Sequence, residues 1–241
     1  MSVLTLDGVS HAFRGRAALA GLTVHVAPGE VVAMVGLNGA GKTTALRVLT
    51  GRLRPVSGTA LVLGQDPARL DTRTARRFGH LLGTPLVSPD LTVDENLGVA
   101  ARLHGVAEAD ISTSVTRVVE RLELGRWSGS RARVLSLGNA QRLGIAAAVV
   151  HDPRALVLDE PTSALDPRGV VIVREIVRGL ADAGGAVLVS SHHLDEVARV
   201  ADRLVAVHDG RVVGELEPGG DDLERRFFAM VLAADTSAGA L

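Results

Sequence analysis

Gly36, Gly41, Lys42 and Thr43 meet the spacing G-x-x-x-x-G-K-[ST], directly after the apolar run Val31–Val35 and before a helical pattern. Each residue type in that spacing has a physical task. Glycines let backbone amides turn inward around a phosphate with no side chain in the way. A helix starting near Lys42 presents its N-terminus to the same anion. Lysine brings a compact, mobile point charge where the planar fork of arginine has the wrong shape, and Thr43 brings a hydroxyl for a divalent metal. Lys42 is the one lysine among 26 Lys and Arg residues. A bias toward arginine accounts for the rarity of lysine, but not for the survivor's place. The whole stretch Gly36, Leu37, Asn38, Gly39, Ala40, Gly41, Lys42, Thr43 and Thr44 is therefore the candidate phosphate cradle.

Three further segments carry chemistry. In ALVLDEPTSALD, residues 155–166, an apolar strand ends in Asp159, which is placed to hold Mg²⁺ together with Thr43. Glu160 follows, positioned to polarise a water for attack on a terminal phosphate. In AVLVSSHHLDE, residues 186–196, a second apolar strand ends near His192 and His193, either of which could reach that phosphate. In LSLGNAQRLGIAAAVV, residues 135–150, Ser136 is a favoured N-cap and Gly138 lies at the helix start, making a second anion site. Read singly, each has a plain structural account: a solvated acidic pair, an exposed histidine, a capped helix. Their order behind a phosphate loop is what gives them weight.

These residues need a scaffold that brings strand ends together. Short β-branched runs at Val31–Val35, Ala155–Leu158, Ala186–Ser190, Leu204–His208 and Arg211–Leu216 read as strands, the last two around an Asp209-Gly210 hairpin. Continuous apolar runs of this kind suit a parallel sheet covered on both faces. Helical patterns fall between them, at Lys42–Leu49, Arg168–Ala183 and Leu194–Ala201. The N-terminal segments Val3–Leu6 and Leu22–Val26 alternate, as antiparallel strands do. From about Pro85 to Val150 helical signals dominate, at Val93–Leu103, Ile111–Leu122 and Ala140–Val150. The expectation is an α/β fold: a phosphate-loop core with a mostly parallel sheet, an N-terminal antiparallel β subdomain and an inserted helical subdomain.

Composition narrows the classes. The 241 residues suit one sizeable domain, 46% are hydrophobic and 22% charged, and aromatics are only 2%, so the core is aliphatic. A formal net charge of -1 argues against a nucleic-acid partner held by a basic field. Absence of cysteine excludes disulfides and thiolate metal sites. No apolar run approaches the roughly 18 residues a membrane span needs, and no signal peptide is expected, so a cytoplasmic location follows unless a partner tethers the chain.

Together GLNGAGKTT, LSLGN with AQRLGIA, LVLDEPTSALD and SSHHLDEV resemble the ATP-binding subunit of ABC transporters, over nearly the whole chain from Val3 to about Ala229. The resemblance implies ATP and Mg²⁺ as ligands, Glu160 and His192 as the catalytic pair, and a head-to-tail dimer of two such chains, or of this chain with a paralogous ATP-binding chain. ATP on one chain would be closed over by Ser136, Leu137, Gly138 and Asn139 of the other. Ser163, Ala164, Leu165 and Asp166 match the segment that runs along that interface, and Phe13 lies where an aromatic stacks on adenine. It also implies an integral membrane transporter as partner, docking on the helical subdomain and the 78–91 loop, and a peripheral place on the inner face of the cell membrane. Residues 1–230 would form one domain, with an α/β core over 1–84 and 151–230 and the helical part over about 85–150, ahead of a flexible tail at 231–241. Three departures stand out: Leu137 and Asn139 in place of the commoner glycine and glutamine, Gly83 where a glutamine is expected, and phenylalanine rather than tyrosine at position 13. The LSLG form is similar to exporters of drugs and peptide antibiotics. The alternatives are a non-transport ATPase of the same fold and a regulatory module that hydrolyses weakly, the latter suggested by Gly83.

Overall fold

The structure, a computed structural model, describes residues 2–220 and 222–238. The chain runs β1 (Leu4–Phe13), β2 (Arg16–Val26), β3 (Val31–Val35), α1 (Lys42–Leu49), β4 (Ser57–Val62), α2 (Thr72–Ala75) and β5 (Phe78–Leu81). It continues through α3 (Val93–Leu103), α4 (Glu108–Arg121), α5 (Leu137–Val149), β6 (Ala155–Asp159), α6 (Pro167–Asp182) and β7 (Ala186–Ser191). It closes with α7 (Leu194–Val197), β8 (Arg203–His208), β9 (Arg211–Leu216) and α8 (Leu223–Ala238).

Two sheets result. β2-β1-β4 is antiparallel, with Leu4 opposite both Val26 and Val62. The second has the order β5-β6-β7-β3-β8-β9, parallel except for β9. Its strands other than the edge strand β9 are buried on both faces, so period-2 alternation sorts their side chains into two cores. Val31, Ala33 and Val35 of β3 face α3–α6, whereas Val32 and Met34 face α1 and the antiparallel sheet. Parallel pairing puts all the C-terminal strand ends on one rim. The register sets Asp159 beside Ser190 and Val35 beside Ser191, which is why one rim collects the chemistry.

Between β5 and β6 the chain forms α3–α5. The sequence T-V-D-E builds a complete capping box on α3: Thr92 Oγ1 accepts from the Glu95 amide at 3.1 Å, and Glu95 Oε2 accepts from the Thr92 amide at 2.7 Å. Buried Asn96 clamps the preceding loop, donating to the carbonyls of Ser88, Leu91 and Thr92 and accepting from the Ser88 amide.

Several expectations need adjustment. β4 and β5, short and without strong alternation, are strands that the sequence pattern did not give. α7 stops at Val197 rather than Ala201, because the chain must turn for β8. α8 runs from Leu223 to Ala238, anchored by buried Phe227 and Val231, and so enters the segment expected as a tail. Residues 239–241 lie outside those described. The hairpin at Asp209-Gly210 has positive φ at both positions, 45° and 72°, as a two-residue hairpin turn requires.

Candidate nucleotide site

β3 delivers Gly36 to the rim, and the loop to α1 wraps there. Two of its glycines are demanded by geometry. A Cβ on Gly36 would lie 2.4 Å from the Val207 carbonyl oxygen. Gly41, with φ 106°, would put one 2.7 Å from the Ala18 carbonyl oxygen and 3.2 Å from Gly210 Cα. The loop is thus wedged between β2 and the β8–β9 turn, where the Gly210 amide donates to Ala40 O at 2.9 Å. Leu37, Asn38 and Gly39 are exposed at its crest.

Lys42 is buried at 6% exposure; its ammonium donates to Gly36 O at 2.6 Å and lies 3.7 Å from Glu160 Oε1. Burial pushes its pKa below the ordinary lysine value, opposed by the carboxylates of Glu160 and Asp159. Thr43 Oγ1 donates to Asp159 Oδ1 at 3.2 Å, and Ser190 Oγ donates to the same oxygen at 2.5 Å. Carboxylate and hydroxyl oxygens in this grouping suit a hard divalent cation, so the donor set fits Mg²⁺. Thr44, one residue on, is half-buried in the first turn of α1.

Glu160 has φ 47°, the left-handed region, and its amide donates to Ser190 O at 3.1 Å. That kink turns the side chain back across the rim, where Oε2 accepts from His192 Nδ1 at 2.8 Å and from the His192 amide at 3.3 Å. A strained non-glycine backbone held by neighbouring bonds is the kind of feature that gathers at sites of chemistry. Lys42, Thr43, Asp159, Glu160 and His192 are therefore brought together. His193 is not: its amide donates to Ser191 Oγ, and its ring lies against that of His192. Sequence reasoning missed Ser190, whose hydroxyl pins Asp159. Its polar type at the end of an apolar strand was the available signal.

Ser136 caps α5, accepting from the Asn139 amide at 3.3 Å, and with Leu137 it is solvent-exposed. Gly138 packs on the 163–166 turn, where a Cβ would meet Ala164 O at 2.9 Å. Asp166 caps α6 through the Gly169 amide and pairs with Arg142 of α5, each at 2.8 Å, contacts that hold its carboxyl below the usual range. Ser163 is exposed, and Leu165 is half-buried against the larger core. Ser136, Gly138 and Ala164 line one cleft, while Gly36, Leu37 and His192 line another, and the two share no residue. Phe13 ends β1 at 44% exposure, edge-on to His11, on the hairpin whose second strand reaches Gly41 through Ala18. Gly83 has φ 65° with open space around it, so a glutamine would fit sterically but would carry left-handed backbone strain.

Fold and rim together define a P-loop nucleotidase with an inserted helical subdomain. The comparisons narrow this. A family model described as "ABC transporter" matches residues 19–163. The chain is 31% identical over 231 residues to the lantibiotic transport ATP-binding protein SrtF of Streptococcus pyogenes, covering 95% of this chain and 98% of that one. It is 36% identical over 230 residues to the daunorubicin resistance ATP-binding protein DrrA3 of Streptomyces coeruleorubidus, covering 92% and 73%. Among solved structures, an ATP-binding subunit of an ABC transporter superposes with TM-score 0.84 at 29% identity, over 95% of both chains. A dimeric cassette bound to ADP and Pi, at 22% identity and TM-score 0.78, covers 90% of this chain and 99% of its own, and shares the fold. The protein belongs to the ABC transporter family and is one of its ATP-binding, ATP-hydrolysing chains.

Proposed function

We propose that this chain is the MgATP-driven motor subunit of an exporter, working as a pair around two shared nucleotides and moving a separate membrane protein. The observation that carries the reading is the rim itself: a buried lysine, an oxygen donor set and a histidine-held glutamate within one cluster, and Ser136 in a different cleft. Lys42 and the amides of the loop bind the terminal phosphates. Thr43 and Asp159 would hold Mg²⁺, which when bound neutralises charge on the phosphate oxygens. Glu160 accepts the proton of the attacking water through Oε1, while His192, donating from Nδ1, fixes Oε2 and keeps the carboxylate aimed. Phe13 offers its face to adenine.

Ser136 with Gly138 and the first amides of α5 form an anion site that one chain does not bring to its own Lys42. A second copy, placed head to tail, completes both sites at once, and Ser163–Asp166 lies beside that surface. Residues 1–230 act as one domain. No helix among the described residues is long and apolar enough to cross a membrane; the peripheral place on the inner face of the cell membrane follows from the proposed membrane partner. Exposed Leu86 and Leu103, at 83% and 81%, offer the membrane partner apolar ground beside the helical subdomain. The exporter assignment rests on the names of SrtF and DrrA3 and on the LSLG form.

Light scattering on Glu160→Gln tests the pairing. With saturating ATP and magnesium the mass should double, and it should return to that of one chain when ATP is removed. A single-chain mass at saturating ATP overturns the shared-site mechanism.

A further inference from the structure

The β8–β9 turn carries a cluster that the nucleotide reading does not use. His208 ends β8, Asp209 opens the turn, and Asp235 projects from α8. Nε2 of His208 lies 2.7 Å from Asp235 Oδ1 and 3.9 Å from Asp209 Oδ2, and the three atoms all fall within 4.8 Å of one another. The histidine is 17% exposed, whereas the two carboxylates, at 85% and 56%, face water. Turn geometry explains an aspartate before Gly210; the second carboxylate is delivered to the same imidazole nitrogen by α8 and hydrogen-bonds it.

We propose that His208, Asp209 and Asp235 form a divalent transition-metal site of the zinc class, separate from the nucleotide site. One imidazole nitrogen with two carboxylate oxygens is a borderline donor set, which favours zinc, cobalt or nickel over magnesium and calcium. Zinc bonds of about 2.0–2.2 Å place neighbouring ligands of a tetrahedron roughly 3.3–3.5 Å apart. The observed 2.7 and 3.9 Å straddle that separation, so small side-chain rotations complete three corners and leave one for water.

The site has a structural consequence. α8 already packs on the core through Phe227 and Val231, and a shared ion would clip its outer half to the hairpin. The same hairpin supports the phosphate loop through Gly210, whose amide donates to Ala40 O and whose carbonyl accepts from the Ala20 amide, both at 2.9 Å. The clip therefore ends one residue from the backbone that holds the cradle. It needs neither ATP nor a second chain.

Zinc chloride alone, titrated calorimetrically into metal-stripped full-length protein with magnesium in excess, tests this. The expected result is one Zn²⁺ per chain and a raised melting temperature. Affinity should fall at least about tenfold in Asp235→Asn and in His208→Gln, and stay unchanged in Asp159→Asn. Asp235 is exposed on a helix, so its variant should keep the fold even if the His208 variant does not. Cobalt substitution should give a visible absorption band that Asp235→Asn removes. The proposal is overturned if wild type and Asp235→Asn take up zinc alike, if zinc does not bind, or if binding is lost in Asp159→Asn, which would put the ion in the nucleotide site.

Discussion

Lys42 is buried in a sheath of loop carbonyls, with its ammonium 2.6 Å from Gly36 O and 3.7 Å from Glu160 Oε1. A guanidinium in that space would have to place a planar fork where there is room for a single nitrogen, and it would present its charge at a different depth. Lys42→Arg therefore keeps the charge and loses the function: ATP binding, followed by fluorescence of a labelled nucleotide, should weaken by about 10–100-fold, the value of a charge-assisted hydrogen bond lost. Binding within about twofold of wild type would show that charge alone, not shape, sets the position. The same reasoning separates His192 from His193. Only the first donates to Glu160, although the two are sequence neighbours of equal type, and the distinction comes from the kink at Glu160 that no side-chain pattern announces.

At the scale of elements, the N-terminus of α5 and the 163–166 turn behave as one unit, because Gly138 touches Ala164 and Arg142 holds Asp166. Gly138→Ala would force a methyl to 2.9 Å from a backbone oxygen, pushing Ser136 away from the surface proposed to read the partner's phosphate. ATP turnover should fall at least about tenfold while the melting temperature changes little, since the contact is at the surface. An unchanged turnover with an intact fold would remove Gly138 from the shared site. The elements that position these residues were legible where their signals are local. β3, β6 and β7 are unbroken apolar runs, Ser136 is a capping residue, and Asp209-Gly210 is a turn pair. β4 and β5 were not legible, because their strand character comes from pairing with β1 and β6 rather than from their own alternation. The hydrogen bond from Ser190 to Asp159 was hidden for a related reason: it spans 31 residues and exists only through parallel register.

Across the whole molecule, the response to acid should be governed by half-buried histidines where the helical subdomain meets the sheet. His80 projects from β5, His104 caps α3 and His151 follows α5; the rings of His104 and His151 stack with centroids 3.7 Å apart and planes within 2° of parallel. Burial, then the neighbouring Arg52 guanidinium, pushes His80 down to about 4. Burial, then His104, pushes His151 down to about 3, and burial lowers His104 as well. Nδ1 of His80 and both ring nitrogens of His151 are buried without a well-formed hydrogen bond, and the backbone at Phe78 only partly offsets the cost of charging His151. The unfolded chain takes up these protons near its ordinary value of about 6.5, whereas the folded chain resists until about 4 and about 3. Between those limits the unfolded state binds more protons, so stability falls as the pH drops, by up to about 1.4 kcal/mol per pH unit for each such histidine. Below the folded values the difference is complete and the slope from these groups vanishes. His151→Phe keeps a flat ring against His104 and removes one titrating group. Urea unfolding from pH 7 to pH 4.5 should therefore show an acid limb shallower by about one proton than that of wild type. Parallel limbs would mean that His151 is protonated in the folded protein as readily as in the unfolded chain, and that the junction of the two subdomains does not govern the response to acid.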